Sequence, residues 1–172
     1  VPEAWKQLGD WRAAADFNQD GFTDLVGIAD AVVTARSGAD GRIIWQATKG
    51  PRDSSMEAPR LTGDFNGDGI PDVLAVVNAW RQVSPQGFGS KRLPAAFSGK
   101  DGRQLWIADD LDILGNLAAT SGMNWSCRYP SFESADLAGD GAAELIALHS
   151  GPGMVPRLSV AEGGGGRVRW TT

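Results

Sequence analysis

Three copies of one short acidic loop carry the oxygen-bearing side chains that a hard cation requires. They occupy residues 16–24, 64–72 and 136–144. In the first two copies, Asp, Asn and Asp stand at loop positions 1, 3 and 5, Gly stands at position 6 and Asp at position 9. Carboxylate and amide oxygens at such spacing, with glycine at the sharp turn, are typical of Ca²⁺ loops. We therefore predict a calcium site in each of these two loops.

The third loop departs from this pattern at two positions. Ala138 replaces the Asn of position 3, and Glu144 replaces the Asp of position 9. The loss of one oxygen ligand weakens a site for a hard cation. Asp136, Asp140 and Glu144 therefore form a third and weaker candidate site.

None of the three loops is an EF-hand. An EF-hand needs a bidentate Glu at position 12 and a helix after it. Position 12 is occupied by Gly27, Ala75 and Ala147, and short apolar runs typical of strands follow each loop. The loops therefore close over β-turns.

A second repeat alternates with the acidic loops. Residues 37–45 and 98–106 share the pattern Ser-Gly-x-Asp-Gly-Arg-x-x-Trp, and residues 165–170 keep a partial copy of it. The Asp-Gly pairs predict type I′ hairpin turns, in which both central residues have positive φ. We expect the repeated Trp to be a core residue between packed sheets, the alternative being a surface that stacks on a sugar or a cofactor.

The two repeats together predict an all-β fold of β-propeller blades. Each unit divides into four antiparallel strands, which gives about three blades, at residues 5–50, 58–108 and 128–172 of a single segment. Propellers usually close with about 4–8 blades. We therefore expect this segment to be part of a larger or multi-chain propeller.

Two insertions, residues 78–92 and 109–130, interrupt the repeat. They hold large aromatic and basic side chains at positions where loops are usually polar. Such side chains are the usual anchors of protein interfaces. The candidate partner-binding residues are Trp80, Arg81, Phe88 and Trp125.

Composition excludes some partners and indicates a compartment. A net charge of −5 argues against nucleic acid as the main partner. No apolar run approaches the ~20 residues of a membrane span.

The single cysteine, Cys127, cannot form an intrachain disulfide, but a protein outside the cytoplasm that is stabilised by calcium needs none. The chain begins at Val1 rather than Met, which a removed signal peptide, a truncation or a longer parent chain would each explain. We expect an extracellular, periplasmic or cell-surface location.

The acidic loops resemble the FG-GAP/VCBS repeats of integrin-α-like β-propellers, and the Trp segments resemble the Trp-docking repeats of quinoprotein-like propellers. Together they cover most of the chain outside the insertions. The first resemblance implies Ca²⁺ bound by the side chains of positions 1, 3, 5 and 9 and by the carbonyl oxygen of position 7. The ligands carried over by position are Asp16, Asn18, Asp20, Phe22 and Asp24 in the first loop, and Asp64, Asn66, Asp68, Ile70 and Asp72 in the second.

The resemblance leaves several functions open. The leading hypothesis is a non-catalytic, calcium-stabilised propeller that mediates protein contacts, as an adhesion module or an accessory subunit of a larger assembly. The alternatives are a segment of a propeller enzyme, of the quinoprotein dehydrogenase or polysaccharide lyase type, and a carbohydrate-binding propeller. No paired general acid and base stands out beyond the acidic loops, so we expect no catalysis.

Overall fold

The fold is all-β, as the repeats predict. The computed structural model describes residues 11–29, 32–47, 53–57, 59–84, 87–111, 113, 131–150 and 155–172, and within them no helix is present. The strands are β1 (Trp11–Ala13), β2 (Leu25–Ala29), β3 (Val32–Arg36), β4 (Ile43–Gln46), β5 (Asp53–Met56), β6 (Leu61–Gly63), β7 (Asp72–Ser84), β8 (Gly87–Phe97), β9 (Gln104–Ile107), β10 (Ser131–Ala135), β11 (Glu144–Ser150), β12 (Pro156–Ala161) and β13 (Val168–Thr171).

These strands form three antiparallel sheets that correspond to the predicted blades. The first blade has the order β1-β2-β3-β4 and the third has the order β10-β11-β12-β13. The second has the order β5-β7-β8-β9, with β6 also paired to β7. Strands that are neighbours in sequence lie beside each other, which is the arrangement of a propeller blade.

The second blade differs from the other two at its first strand and at its central hairpin. The first strand is divided: β6 pairs with the start of β7, and β5 pairs with β7 farther along, at Ala79. The strands β7 and β8 are paired from the blade out to Ser84 and Gly87. Of residues 78–92, which the sequence predicted to be an insertion in a loop, residues 78–84 and 87–92 therefore form the outer part of a β-hairpin.

The Ser-Gly turns have the same hydrogen bonds in every blade. In the second blade the N–H of Ser98 donates to the carbonyl of Arg103, and the N–H of Gly102 donates to the carbonyl of Ser98, both at 2.8 Å. Only the glycine has a positive φ, 73° at Gly102, and the preceding Asp101 does not. The predicted type I′ turn is therefore wrong. The loop is longer than two residues, and a β-bulge between Ala96 and Phe97 accompanies it.

Within the described residues, the hydrophobic core consists of two clusters, one between each pair of neighbouring blades. The first cluster packs Val26, Ala35 and Trp45 of the first blade against alternate residues of β7 and β8. The second packs the opposite face of β7 and β8 against β11 and β12. Trp45 and Trp106 are buried, as expected for the repeated Trp, but Trp170 is 47 % exposed. Among the described residues, no helix has the length and apolarity needed to span a membrane.

Candidate metal-binding loops

The three acidic loops share one backbone conformation. The glycine at position 6 has φ of 86° at Gly21, 81° at Gly69 and 90° at Gly141. Position 4 is also left-handed in each loop, including the first, where Gln19 has φ of 58°. Since L side chains rarely adopt such values, glycine is required at position 6 by the turn itself. The third loop therefore keeps the fold of the other two despite its altered side chains.

The carboxylate at position 1 organises the turn. In the second loop, Oδ1 of Asp64 accepts hydrogen bonds from the N–H groups of Gly67 and Asp68 at 2.7 and 3.1 Å, and Oδ2 accepts one from Gly69 at 2.8 Å. A carboxylate that receives several backbone N–H groups is stabilised as an anion. These three hydrogen bonds hold the side chain of Asp64 at the mouth of the loop.

The corresponding carboxylate of the third loop shows the electrostatic effect directly. Asp136 accepts bonds from the N–H groups of Gly139, Asp140 and Gly141. The hydrogen bond from Gly141 contributes most to holding the pKa of Asp136 below its ordinary value. The loop thus keeps its negative charge at position 1 even where Ala138 has removed the amide at position 3.

Positions 3 and 5 bring further oxygens to the same side of the turn. In the second loop, Oδ1 of Asn66 accepts from the N–H of Asp68 at 2.9 Å, and its amide donates to Oδ2 of Asp68 at 3.1 Å. The corresponding pair Asn18 and Asp20 makes the same contacts in the first loop, where the amide of Asn18 lies 2.9 Å from Oδ2 of Asp20. The side chains at position 5 are exposed in all three loops. The structure therefore brings together the predicted ligands of positions 1, 3 and 5.

The carboxylate at position 9 is buried and faces the blade. Oδ2 of Asp72 accepts from the N–H groups of Phe65 and Asn66 at 2.9 and 3.2 Å, and Oδ1 accepts from the N–H of Gly99 at 3.0 Å. Burial raises the pKa of Asp72 to about 6, although these hydrogen bonds oppose the rise. Asp24 binds Phe17 and Gly38 in the same way in the first blade.

The position-9 carboxylate therefore connects the acidic loop to the Ser-Gly turn of its own blade. The sequence showed both repeats, and its only sign of this connection was that Gly38 and Gly99 follow Asp24 and Asp72 in the same order in both blades. In the third blade Glu144 binds the N–H groups of Leu137 and Ala138, and its other oxygen pairs with Arg169 at 3.4 Å instead of with a glycine N–H.

The oxygen atoms of the first two loops fit a hard cation. The carboxylate of position 9 differs from the other candidate ligands, because it is buried and faces the blade. Each of the first two loops offers the carboxylates of positions 1 and 5, an amide oxygen, and a main-chain carbonyl at Phe22 or Ile70. Oxygen-only ligands of this kind suit Ca²⁺. Within the described part of the chain, no group of three or more His, Cys, Asp and Glu side chains is arranged to hold a metal ion. The metal assignment thus depends on the Asn and carbonyl oxygens as well as on the carboxylates.

The predicted partner-binding residues divide between two parts of the chain. Trp80, Arg81 and Phe88 belong to the outer part of the hairpin, where Trp80 pairs with Ser90 and Arg81 with Gly89. Trp125 lies outside the described residues. The structure therefore brings three of the four onto one β-hairpin.

Comparison with known proteins adds no family assignment. No family model matches the chain, and a search of curated proteins finds no matching relative.

Proposed function

We propose that this chain is a non-catalytic β-propeller segment that is stabilised by Ca²⁺ and mediates protein–protein contacts. Its role would be that of an adhesion module or an accessory subunit of a larger assembly. Its location is outside the cytoplasm, where calcium is abundant enough for the weak sites of extracellular modules. The resemblance to FG-GAP/VCBS repeats motivates this role.

The observation that carries the metal part of the proposal is the geometry of the first two loops. In both, the carboxylates of positions 1 and 5 lie on one turn that hydrogen bonds already hold in shape, as with Asp64 and Asp68. Two like charges at this proximity repel each other, and a bound cation removes the repulsion. Calcium bound there would remove this repulsion and stabilise the turn.

The contact part of the proposal rests on the hairpin formed by β7 and β8. The strands β7 and β8 pair through the positions of Trp80, Arg81 and Phe88, so three of the proposed contact residues belong to one hairpin. Aromatic residues and Arg are the side chains most often found at the energetic centres of interfaces. Trp125 in the segment 109–130 completes the proposed set.

Thermal unfolding with and without calcium tests the metal part. Because calcium binds only the folded state, an excess of about 100-fold over Kd should raise Tm by about 5–10 °C for each occupied site, and EDTA should reverse the change. Asp20→Ala and Asp68→Ala should each remove part of this response, and the double variant should remove most of it.

Asp101→Ala is the matched control for these variants. Asp101 is exposed and accepts a hydrogen bond from the N–H two residues later, as Asp68 does, but it lies in a Ser-Gly turn outside the acidic loops. Its variant should keep the full calcium response. Melting curves that do not change with EDTA, together with an absence of metal in elemental analysis, would contradict the proposal.

A further inference from the structure

The two interfaces between neighbouring blades use one contact in common. The indole Nε1–H of Trp45, in the first blade, donates to the carbonyl of Gly99 in the second at 2.5 Å. The indole of Trp106, in the second blade, donates to the carbonyl of Gly163 in the third. Each Trp therefore binds the Ser-Gly turn, or its counterpart, of the blade that follows it.

The same tryptophans pack their rings against a second glycine of that turn. A Cβ added to Gly102 would lie 2.7 Å from a ring carbon of Trp45, and one added to Gly166 would lie 2.6 Å from a ring carbon of Trp106. Only glycine leaves room for such an approach, so the turn and the indole are complementary in shape as well as in hydrogen bonding.

An aromatic side chain at position 2 of the acidic loop completes each contact. Phe17 packs edge-on against Trp45 with ring centroids 5.7 Å apart, and Phe65 packs against Trp106 at 5.5 Å. All four side chains are at most 5 % exposed. A buried loop aromatic, a buried Trp and a glycine turn of the next blade thus define the interface.

The third blade keeps the Trp of this interface and has an aliphatic residue in place of the loop aromatic, and among the described residues no glycine turn of another blade packs against them. Leu137 stands at position 2 of its acidic loop and Trp170 stands at the Trp position, and they are 57 % and 47 % exposed. Leu148, which corresponds to the fully buried Val76 of the second blade, is 50 % exposed. On the same face, Trp170 pairs with Val160 across β12 and β13, as Trp106 pairs with Ala96.

We infer that this face of the third blade, defined by Leu137, Leu148 and Trp170, is a docking surface for a further β-blade. The occupant is a four-stranded antiparallel sheet whose turn offers a glycine carbonyl to the indole N–H of Trp170 and whose facing side chains are small and apolar. The inference rests on the contact role proposed above, but it does not depend on calcium. Its basis is continuity with the two interfaces within the chain.

The first blade of a second copy fits this description poorly. Thr34 and Arg36 stand on its corresponding face where the second blade has Ala95 and Phe97. Arg36 lies over the ring of Trp11 at 5.6 Å and donates to the carbonyl of Gly41. Packing that face against Trp170 would bury a guanidinium against apolar side chains, which is costly without a paired charge. A separate blade with an apolar face is therefore the better occupant.

A lengthened chain tests the inference. A copy of residues 48–108, which supply a linker and the second blade, is appended after Thr172, so that the appended turn corresponds to residues 98–103. Hydrogen exchange of the indole N–H groups is followed by NMR in EDTA, with the Trp170 signal assigned from its absence in Trp170→Phe. We expect exchange at Trp170 to slow on the order of 100-fold relative to the original chain.

Two controls decide between the outcomes. The same extension with Gly102→Ala in the appended copy alone should leave Trp170 exchanging as in the original chain, because the atoms nearest to a Cβ at Gly102 belong to the indole and strand of the preceding blade and not to its own blade. Exchange that is unchanged by the intact extension overturns the inference. A third outcome is that exchange at Trp170 is already slow in the original chain, becomes slower as the protein concentration rises, and is accompanied by a dimer in sedimentation. The occupant is then a second copy, and this result also overturns the inference. Since EDTA is present throughout, the result is independent of the calcium test.

Discussion

At the scale of single residues, the carboxylate of position 9 is the most informative group of the acidic loop. Asp72 was predicted only as a metal ligand, yet it is buried and accepts three backbone N–H groups from two separate turns. It therefore stabilises the blade whether or not a cation is present. Among the described residues of the second blade, the carboxylates of positions 1 and 5, which lie in the loop itself, make no corresponding hydrogen bond to the Ser-Gly turn.

This difference predicts that two acidic residues of one loop respond differently to substitution. Asp72→Asn should lower the free energy of unfolding by about 1–3 kcal/mol even in EDTA, because a buried backbone donor loses its acceptor. Asp68→Ala should change stability in EDTA by less than about 1 kcal/mol, since Asp68 is exposed. Denaturant unfolding in EDTA measures both. Equal losses in the two variants would show that position 9 has no separate structural role.

The first glycine of the Ser-Gly turn is a second residue at which the structure leaves no room for a side chain. A Cβ on Gly99 would lie 1.8 Å from the carbonyl oxygen of Pro71 and 2.8 Å from a ring carbon of Phe17. Gly99→Ala should therefore destabilise the chain by about 1–3 kcal/mol or more through overpacking. Gly164→Ala is the matched control, because a Cβ there meets nothing within 4 Å and Gly164 has no positive φ. Thermal melts should show a clear loss for the first variant and almost none for the second.

At the scale of elements, the divided first strand of the second blade is held by an ion-pair cluster. Glu57 lies between β5 and β6, where its carboxylate pairs with Arg60 at 3.1 Å and with Arg92 of β8. Its N–H also donates to the carbonyl of Val76 at 2.8 Å. The chain between β5 and β6 is therefore held to the hairpin of β7 and β8 both by a backbone hydrogen bond and by side-chain ion pairs.

Glu57→Ala should consequently lower the free energy of unfolding by about 1.5–3 kcal/mol, because hydrogen bonds to charged groups in a partly buried site are lost and two arginines keep their charge. Asp40→Ala removes the exposed pair with Arg42 and should cost less than about 1 kcal/mol. Chemical denaturation of the two variants at low and high salt checks the comparison. If the loss at Glu57 disappears in high salt, the pair is an ordinary surface contact.

The elements also show what the sequence pattern could and could not predict. The all-β class, the four-strand blades and the backbone of the acidic loops follow from local spacing of Asp, Gly and apolar residues. The strand β5 does not, because Asp-Ser-Ser-Met has little β propensity and becomes a strand only by pairing with the outer part of β7. The hairpin pairing of β7 with β8 accounts for residues 78–84 and 87–92, which were predicted to be an insertion because they interrupt the repeat.

The arrangement of the candidate metal site was also predictable only in part. In the first two loops the side chains of positions 3 and 5 hydrogen-bond to each other, and that of position 1 holds the backbone of the same turn, while their role as metal ligands stays a prediction. The inward direction of Asp24 and Asp72 depends on the Ser-Gly turn that lies 14 and 27 residues farther along the chain, and only the folded blade brings the two together.

At the scale of the whole molecule, the blades form a series in which each is held to the next by one repeated contact. Proteins built in this way have stabilities that are close to a sum of unit and interface terms. The exposed Trp170 and the buried Trp106 occupy equivalent positions in that series, one without and one with a following blade. Substitution of these two tryptophans therefore separates the free energy of the junction between blades from the stability of the blade itself.

Trp106→Phe should lower the free energy of unfolding by about 1–3 kcal/mol, because the buried carbonyl of Gly163 loses its donor and the smaller ring leaves space against Phe65. Trp170→Phe should change it by less than about 0.5 kcal/mol, since that side chain is half exposed and its N–H has no partner to lose among the hydrogen bonds of the described residues. Amide hydrogen exchange locates the effect: protection should fall in β11 and β12 of the Trp106 variant and stay unchanged in the Trp170 variant. Similar losses in both variants would mean that the Trp contributes to its own blade and not to the junction with the next.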